Sequence, residues 1–322
     1  MASGNRIDVH HHYVPDFFRE AILSSGGDPS GWPIPPWSPD LDKQFMKNHR
    51  VGTSLLSLTA PGPCILPGEE AAKLARKANE YAAKLRDDNP QRYGFLANLP
   101  SLLDKELTLA EIAYSFDQLN ADGVTLFTRY GRGHQYIGHP DFKNIWDELN
   151  RRNAVVFIHP THPVDITLIR PLLPQPIIEY PFETTKTAVD ITLSGLMKSH
   201  PNVKIILSHA GGMLPWLVES PATVLPDLIK GLTFESFVED AKKFYYDTAI
   251  TGENMILVLQ KFAAPGHILY GSHYCYASPG VLKYYTGILD NFRFQTTQEK
   301  NSINYSNALA LFPRFRKYYG TE

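Results

Sequence analysis

Short apolar runs and stretches of helical spacing take turns along this chain. The apolar runs are Ile7 to Val9, Val51 to Leu58, Tyr93 to Asn98, Gly123 to Phe127, Ala154 to Ile158, Val203 to Leu207, Phe244 to Tyr246 and His267 to Gly271. Each has the length of a strand and the β-branched or aromatic content of one. Between them, apolar residues recur at three and four positions over Glu69 to Asp88, Leu103 to Asn120, Phe142 to Arg152 and Thr184 to Ser199, with a further helix expected from about Leu41.

A strand that is apolar along its whole length is buried on both faces, as in a parallel sheet covered by helices. No linker or composition shift divides the chain. The expected architecture is therefore α/β, one (β/α)8 TIM barrel domain over 1–322, with a doubly wound open sheet as the alternative. The glycine-rich dinucleotide fingerprint is absent. A stretch at about 16–40, containing Trp32-Pro33-Ile34-Pro35-Pro36-Trp37-Ser38-Pro39, is read as an irregular insertion, because proline forbids a continuous helix. It is either a lid over a pocket or a packed surface loop, and Trp32 and Trp37 would wall an aromatic substrate.

Composition narrows the ligand class. The 322 residues are 43% hydrophobic and 20% charged, with a net charge of -2 and no basic or acidic block. Nothing there favours nucleic acid or an anionic membrane, which leaves small molecules. With no signal-like segment and no run of about 18 apolar residues, the expected location is cytoplasmic. Cys64 and Cys275 match no zinc or redox spacing and are read as free thiols.

The chemistry lies at the strand ends. Strand one runs into His10-His11-His12, and alternation puts His10 and His12 on one face and His11 on the other. His159 ends strand five, His209 ends strand six and His273 follows strand eight. One such imidazole is commonly a structural cap. Five of the twelve histidines at the edge where a barrel gathers its active site point instead to one metal ion with an acid or base beside it. Arg129, just after strand four, is placed to hold a substrate carboxylate, or is an ordinary solvated loop arginine.

The stretches Asp8-Val9-His10-His11-His12, Ile158-His159-Pro160, Leu207-Ser208-His209-Ala210-Gly211-Gly212 and Tyr270-Gly271-Ser272 resemble the amidohydrolase superfamily, in the branch of aminocarboxymuconate semialdehyde decarboxylase. Ala78-Asn79-Glu80-Tyr81, Asn98-Leu99-Pro100 and Asn307 to Pro313 add to the resemblance, which covers nearly the whole chain. Within the branch, the pattern is most similar to fungal 6-methylsalicylate decarboxylases.

The resemblance implies metal ligands at His10, His12 and His159 and a catalytic residue at His209. At strand eight the family pattern carries Gly-Ser-Asp, the aspartate being a metal ligand and the presumed proton donor, whereas this chain has Gly271-Ser272-His273. His273 is taken as the fourth ligand and as a second candidate for the acid. The implied cofactor is one divalent ion, zinc first and manganese second, and the implied assembly is a homodimer. The implied reaction is non-oxidative decarboxylation of an ortho-hydroxybenzoate such as 6-methylsalicylate to 3-methylphenol and CO2, impaired to the extent that His273 replaces the acid. A metal-dependent hydrolase or lactonase would use the same ligands. A non-catalytic binding protein on the same scaffold is the reading that His273 favours.

Overall fold

The computed structural model describes residues 4–320. Eight strands lie side by side in chain order, all parallel: β1 (Arg6–His12), β2 (Val51–Ser57), β3 (Tyr93–Asn98), β4 (Gly123–Phe127), β5 (Val155–His159), β6 (Lys204–Leu207), β7 (Tyr245–Asp247) and β8 (Ile268–Leu269). The sheet closes on itself. Val9 donates its backbone N–H to the Tyr270 carbonyl at 3.0 Å, and His273 donates to the His10 carbonyl at 2.9 Å. Closure removes both sheet edges and decides for the barrel over the open sheet.

Helices follow the strands as their spacing predicts, at Gly68–Asp88, Lys105–Asp117, Lys143–Arg151 and Glu179–Leu193. The helix expected to reach Ser199 breaks at Gly195, where φ is +71°, and resumes as the single turn Leu196–Ser199. The stretch read as irregular opens with a helix, Asp16–Ser24, which buries Phe18 and Ile22 four residues apart. Prolines concentrated further along the segment obscured that pair. The irregular part ends at Ser38, whose hydroxyl accepts the Leu41 N–H at 3.2 Å and starts the helix Pro39–Asn48. Among the described residues, no helix is long and apolar enough to cross a membrane.

Two apolar layers hold the barrel. The larger lies between strands and helices. The smaller fills the barrel itself, with Ile7 and Val9 (β1), Leu55 (β2), Leu96 (β3), Val155 and Phe157 (β5), Ile206 (β6) and Leu269 (β8). Its floor is closed by Ala308, Leu309, Phe312 and Phe315 from the carboxyl-terminal helices. Burying one such phenylalanine contributes about 1.5–3 kcal/mol. The strand ends opposite this floor form the mouth.

Candidate metal centre

Strand β1 positions the first two imidazoles. Its pairing with β2 shifts register between Asp8 and His11, and beyond that irregularity His10 and His12 converge, with Nε2 atoms 3.0 Å apart. The ring of His10 rests on Phe157 of the inner layer, centroids 4.9 Å apart. His159 arrives from the end of β5, 4.9 Å from the His12 ring and 5.3 Å from that of His10. His273 arrives from the segment after β8, 4.9 Å from His10. Together His10, His12, His159 and His273 offer four ligand atoms within 4.8 Å of one another.

His209 completes the group from the turn after β6, with its ring 4.7 Å from His10 and 4.9 Å from His273. That turn is unusual in its backbone: His209, Ala210, Gly211 and Gly212 all have positive φ, at +52°, +58°, +74° and +65°. Glycine is required at 211, since a Cβ there would lie 2.6 Å from the Tyr246 ring.

Hydrogen bonds orient three of these four imidazoles. Nδ1 of His10 meets an Asp247 oxygen at 2.7 Å, Nδ1 of His159 meets the Pro160 carbonyl at 2.8 Å, and Nδ1 of His12 meets the Ser57 carbonyl at 3.2 Å. Each leaves Nε2 free to face the centre. The Nδ1 of His273 is buried without a hydrogen-bond partner. Burial keeps these rings neutral: it holds His159 down to about 4 and, with His159 beside it, His273 to about 3. His10, His12 and His209 are held well below the ordinary range by burial and then by neighbouring imidazoles.

A neutral imidazole is the form that binds a metal. In a tetrahedral zinc site, bonds of about 2.0–2.1 Å place ligand nitrogens roughly 3.3 Å apart, so His10 and His12, 3.0 Å apart, already have that spacing and the wider members of the set would close in. Four nitrogens and no carboxylate suit a zinc-like ion far better than magnesium or calcium. The donor set fits one divalent cation.

His11 faces away, as alternation predicts. It is fully buried between Asp8 at 3.0 Å and Asp42 at 3.1 Å. Burial alone would lower its proton affinity, but Asp42 and then Asp8 push it up to about 9.

The remaining expected site residues are placed differently. The Arg129 guanidinium, 6% exposed, donates to the carbonyls of His162, Gly131, Gly133 and Pro163. It braces the loops after β4 and β5, and four of its five N–H donors are already engaged. Trp37 packs edge-on against Tyr13 and Tyr81, in the outer layer away from the histidines. Trp32 lies nearer. Its Nε1 donates to the Tyr276 carbonyl at 3.2 Å, and the Tyr276 ring stands 5.7 Å from His12.

Around Trp32 the insertion packs onto the segments that follow β5 and β8. The Ser30 carbonyl accepts the Gln175 N–H at 3.3 Å, and Tyr180, just beyond, sets its ring 6.3 Å from His159. Tyr180 and Tyr276 were not anticipated from the sequence. Neither was Asp247, although its place at the carboxyl end of β7 was the available signal.

Comparison with known proteins places the chain among decarboxylases and amidohydrolases. A 6-methylsalicylic acid decarboxylase of Penicillium expansum is 50% identical over 315 residues, 97% of either chain. A crystal structure of an amidohydrolase II superposes with a TM-score of 0.86 at 30% identity, covering 96% of this chain and 99% of that one. A dihydroxybenzoic acid decarboxylase of Polaromonas sp. JS666, solved with bound manganese and 2-nitroresorcinol, shares the fold, with a TM-score of 0.78, 21% identity, and coverage of 96% and 97%. The Amidohydrolase family profile matches residues 7–314, and with the barrel closed and the strand-end histidines gathered at its mouth, this chain belongs to that family.

Proposed function

We propose that this chain is a metal-dependent, non-oxidative decarboxylase of an ortho-hydroxybenzoate, with 6-methylsalicylate as substrate and 3-methylphenol and CO2 as products. The observation that carries this reading is the convergence of four neutral imidazoles within 4.8 Å, with His209 alongside and outside that set. His10, His12, His159 and His273 would hold the ion, zinc before manganese. When bound, the ion supplies a positive centre that attracts the carboxylate and ortho-hydroxyl oxygens of the substrate.

The chain's own groups do the rest. Decarboxylation requires a proton at the ring carbon that bears the carboxylate, so that the C–C bond breaks with its electrons returning to the ring as CO2 leaves. His209 is the donor in this reading, and His273 can take that part only when its ring is not bound to the ion. Both are neutral in their own buried surroundings, and an anionic substrate beside either one favours the imidazolium. Tyr180, Tyr276 and Trp32 wall the mouth, exclude water and present aromatic surface to the ring. The product leaves with the transferred proton, and solvent restores it.

The test is a paired assay on zinc-loaded protein: CO2 release from 6-methylsalicylate against acid release from an aryl lactone. CO2 with 3-methylphenol is expected. Lactone hydrolysis without CO2 would hand the site to the hydrolase reading. The same proposal includes a homodimer in the cytoplasm. Ile169, Leu172, Trp216 and Leu228, on the segments after β5 and β6, are 66%, 96%, 70% and 74% exposed, and sedimentation equilibrium should report twice the chain mass.

A further inference from the structure

We infer that Asp247 is a positioning residue that couples His10 to His209, one buried carboxylate dividing its two oxygens between them. Oδ2 lies 2.7 Å from Nδ1 of His10. Oδ1 accepts the backbone N–H of His209 at 3.0 Å and that of Ala249 at 2.9 Å. Both His10 and Asp247 are fully buried.

A carboxylate that merely capped its own strand would satisfy the N–H of its own loop, as Asp247 does with Ala249. Here it also reaches sideways in both directions. Toward β6 it pins the N–H of His209, whose φ of +52° is strained for a non-glycine residue. Toward β1 it selects the tautomer of His10 that leaves Nε2 facing His12. The neighbouring strand end is shaped to allow this. A Cβ on Gly271 would fall 2.8 Å from Cβ of His10 and 3.2 Å from Cβ of Asp247. With histidine at 273, Asp247 brings a carboxylate oxygen against a ring of this cluster, where the family pattern has an aspartate among the ligands.

The experiment is Asp247→Asn. An amide has a single oxygen, so it can serve the two backbone donors or His10 but not both. Zn2+ affinity, measured by competition with a chromophoric chelator, should fall about 10–100-fold, the usual cost of losing an outer-shell partner. In a His10→Ala background the same change should cost less than about threefold, because the partner is already gone. An equal loss in both backgrounds would show that Asp247 does not act through His10 and would overturn the inference.

At saturating Zn2+, kcat should still drop while KM holds, since an amide turned either way leaves His10 or the N–H of His209 without its acceptor. Should the variant fail to fold, long-range 15N spectra of the unaltered, metal-free protein decide the matter. The His10 proton is expected on Nδ1, and a proton on Nε2 would refute the coupling. The inference rests on the decarboxylase reading only for its kcat arm. A protein inert toward every ortho-hydroxybenzoate, yet losing zinc affinity as described, would sink that reading and leave this one standing.

Discussion

The two faces of strand β1 put the same side chain to opposite uses. His10 and His12 look toward other imidazoles and are held neutral, whereas His11, between them in sequence, looks toward Asp8 and Asp42 and is a cation well above neutral pH. All three are fully buried. Burial alone therefore does not decide protonation. The neighbours do, and a strand delivers alternate residues to different neighbours. One face is a set of lone pairs aimed at a shared point, and on the other both His11 nitrogens are taken by carboxylates, leaving none for a metal.

The comparison breaks most visibly at His12→Ala. Losing a ligand should remove most bound zinc, and with it several kcal/mol of charge stabilisation, so kcat/KM should fall by at least about 10³-fold. Metal analysis with a parallel turnover assay checks this, and full zinc occupancy in the variant would remove His12 from the ligand set. On the opposite face, His11→Asn should do the reverse. It strands two buried carboxylates and should cost about 3–5 kcal/mol in denaturant stability, while zinc per folded chain stays at the wild-type value. Zinc loss in that variant at full folding would mean that the two faces are not independent.

A smaller effect sharpens the neutral face. His273→Asp places a carboxylate where the family pattern has one and should raise single-turnover decarboxylation by about 10²-fold, the lower range of a positioned general acid. Equal rates at equal metal loading would show that His273 or His209 already supplies the proton.

The gentlest test uses pH on the metal-free protein. His159 and His273 titrate near 4 and 3 when folded, below the ordinary 6.5, so the unfolded chain takes up protons first. Stability should fall as pH drops from about 6.5 toward 4. His11 titrates near 9 when folded, above its unfolded value. Its contribution is therefore complete below about 6.5 and lost as pH rises through about 9. Melting temperatures between pH 4 and 10 should show both flanks, and zinc should lift the whole curve except for the alkaline slope, which His11 controls.

Much of this could be read from residues alone. The barrel was legible because strands such as Val155–His159 are apolar on both faces, which only a covered parallel sheet rewards. The histidines were legible because each ends a strand. Residues whose roles depend on remote partners were not. Asp247 reads equally well as a strand-end cap until β1 and β6 are seen on either side of it. Arg129 reads as a free cation until the loop carbonyls around it are located. Trp37 shares its proline-rich setting with Trp32, and only the course of the segment separates the one that packs on Tyr81 from the one that reaches Tyr276.

The floor of the barrel has a consequence for how the protein comes into being. Ile7 and Val9 share one buried apolar cluster with Phe312 and Phe315, about 300 positions further along the chain. Tyr319 donates to the Arg6 carbonyl at 2.9 Å, and Arg6 reaches Asn304 at 3.1 Å. During synthesis, strand β1 and the inner face of β5 wait without their cover until Ala308 to Phe315 leave the ribosome. Contacts of such long sequence separation form late and slowly, so the apolar lumen stays open to chaperones and to aggregation until that cover arrives. A ribosome stalled before Ala308 would hold a complete set of eight strands and a bottomless barrel.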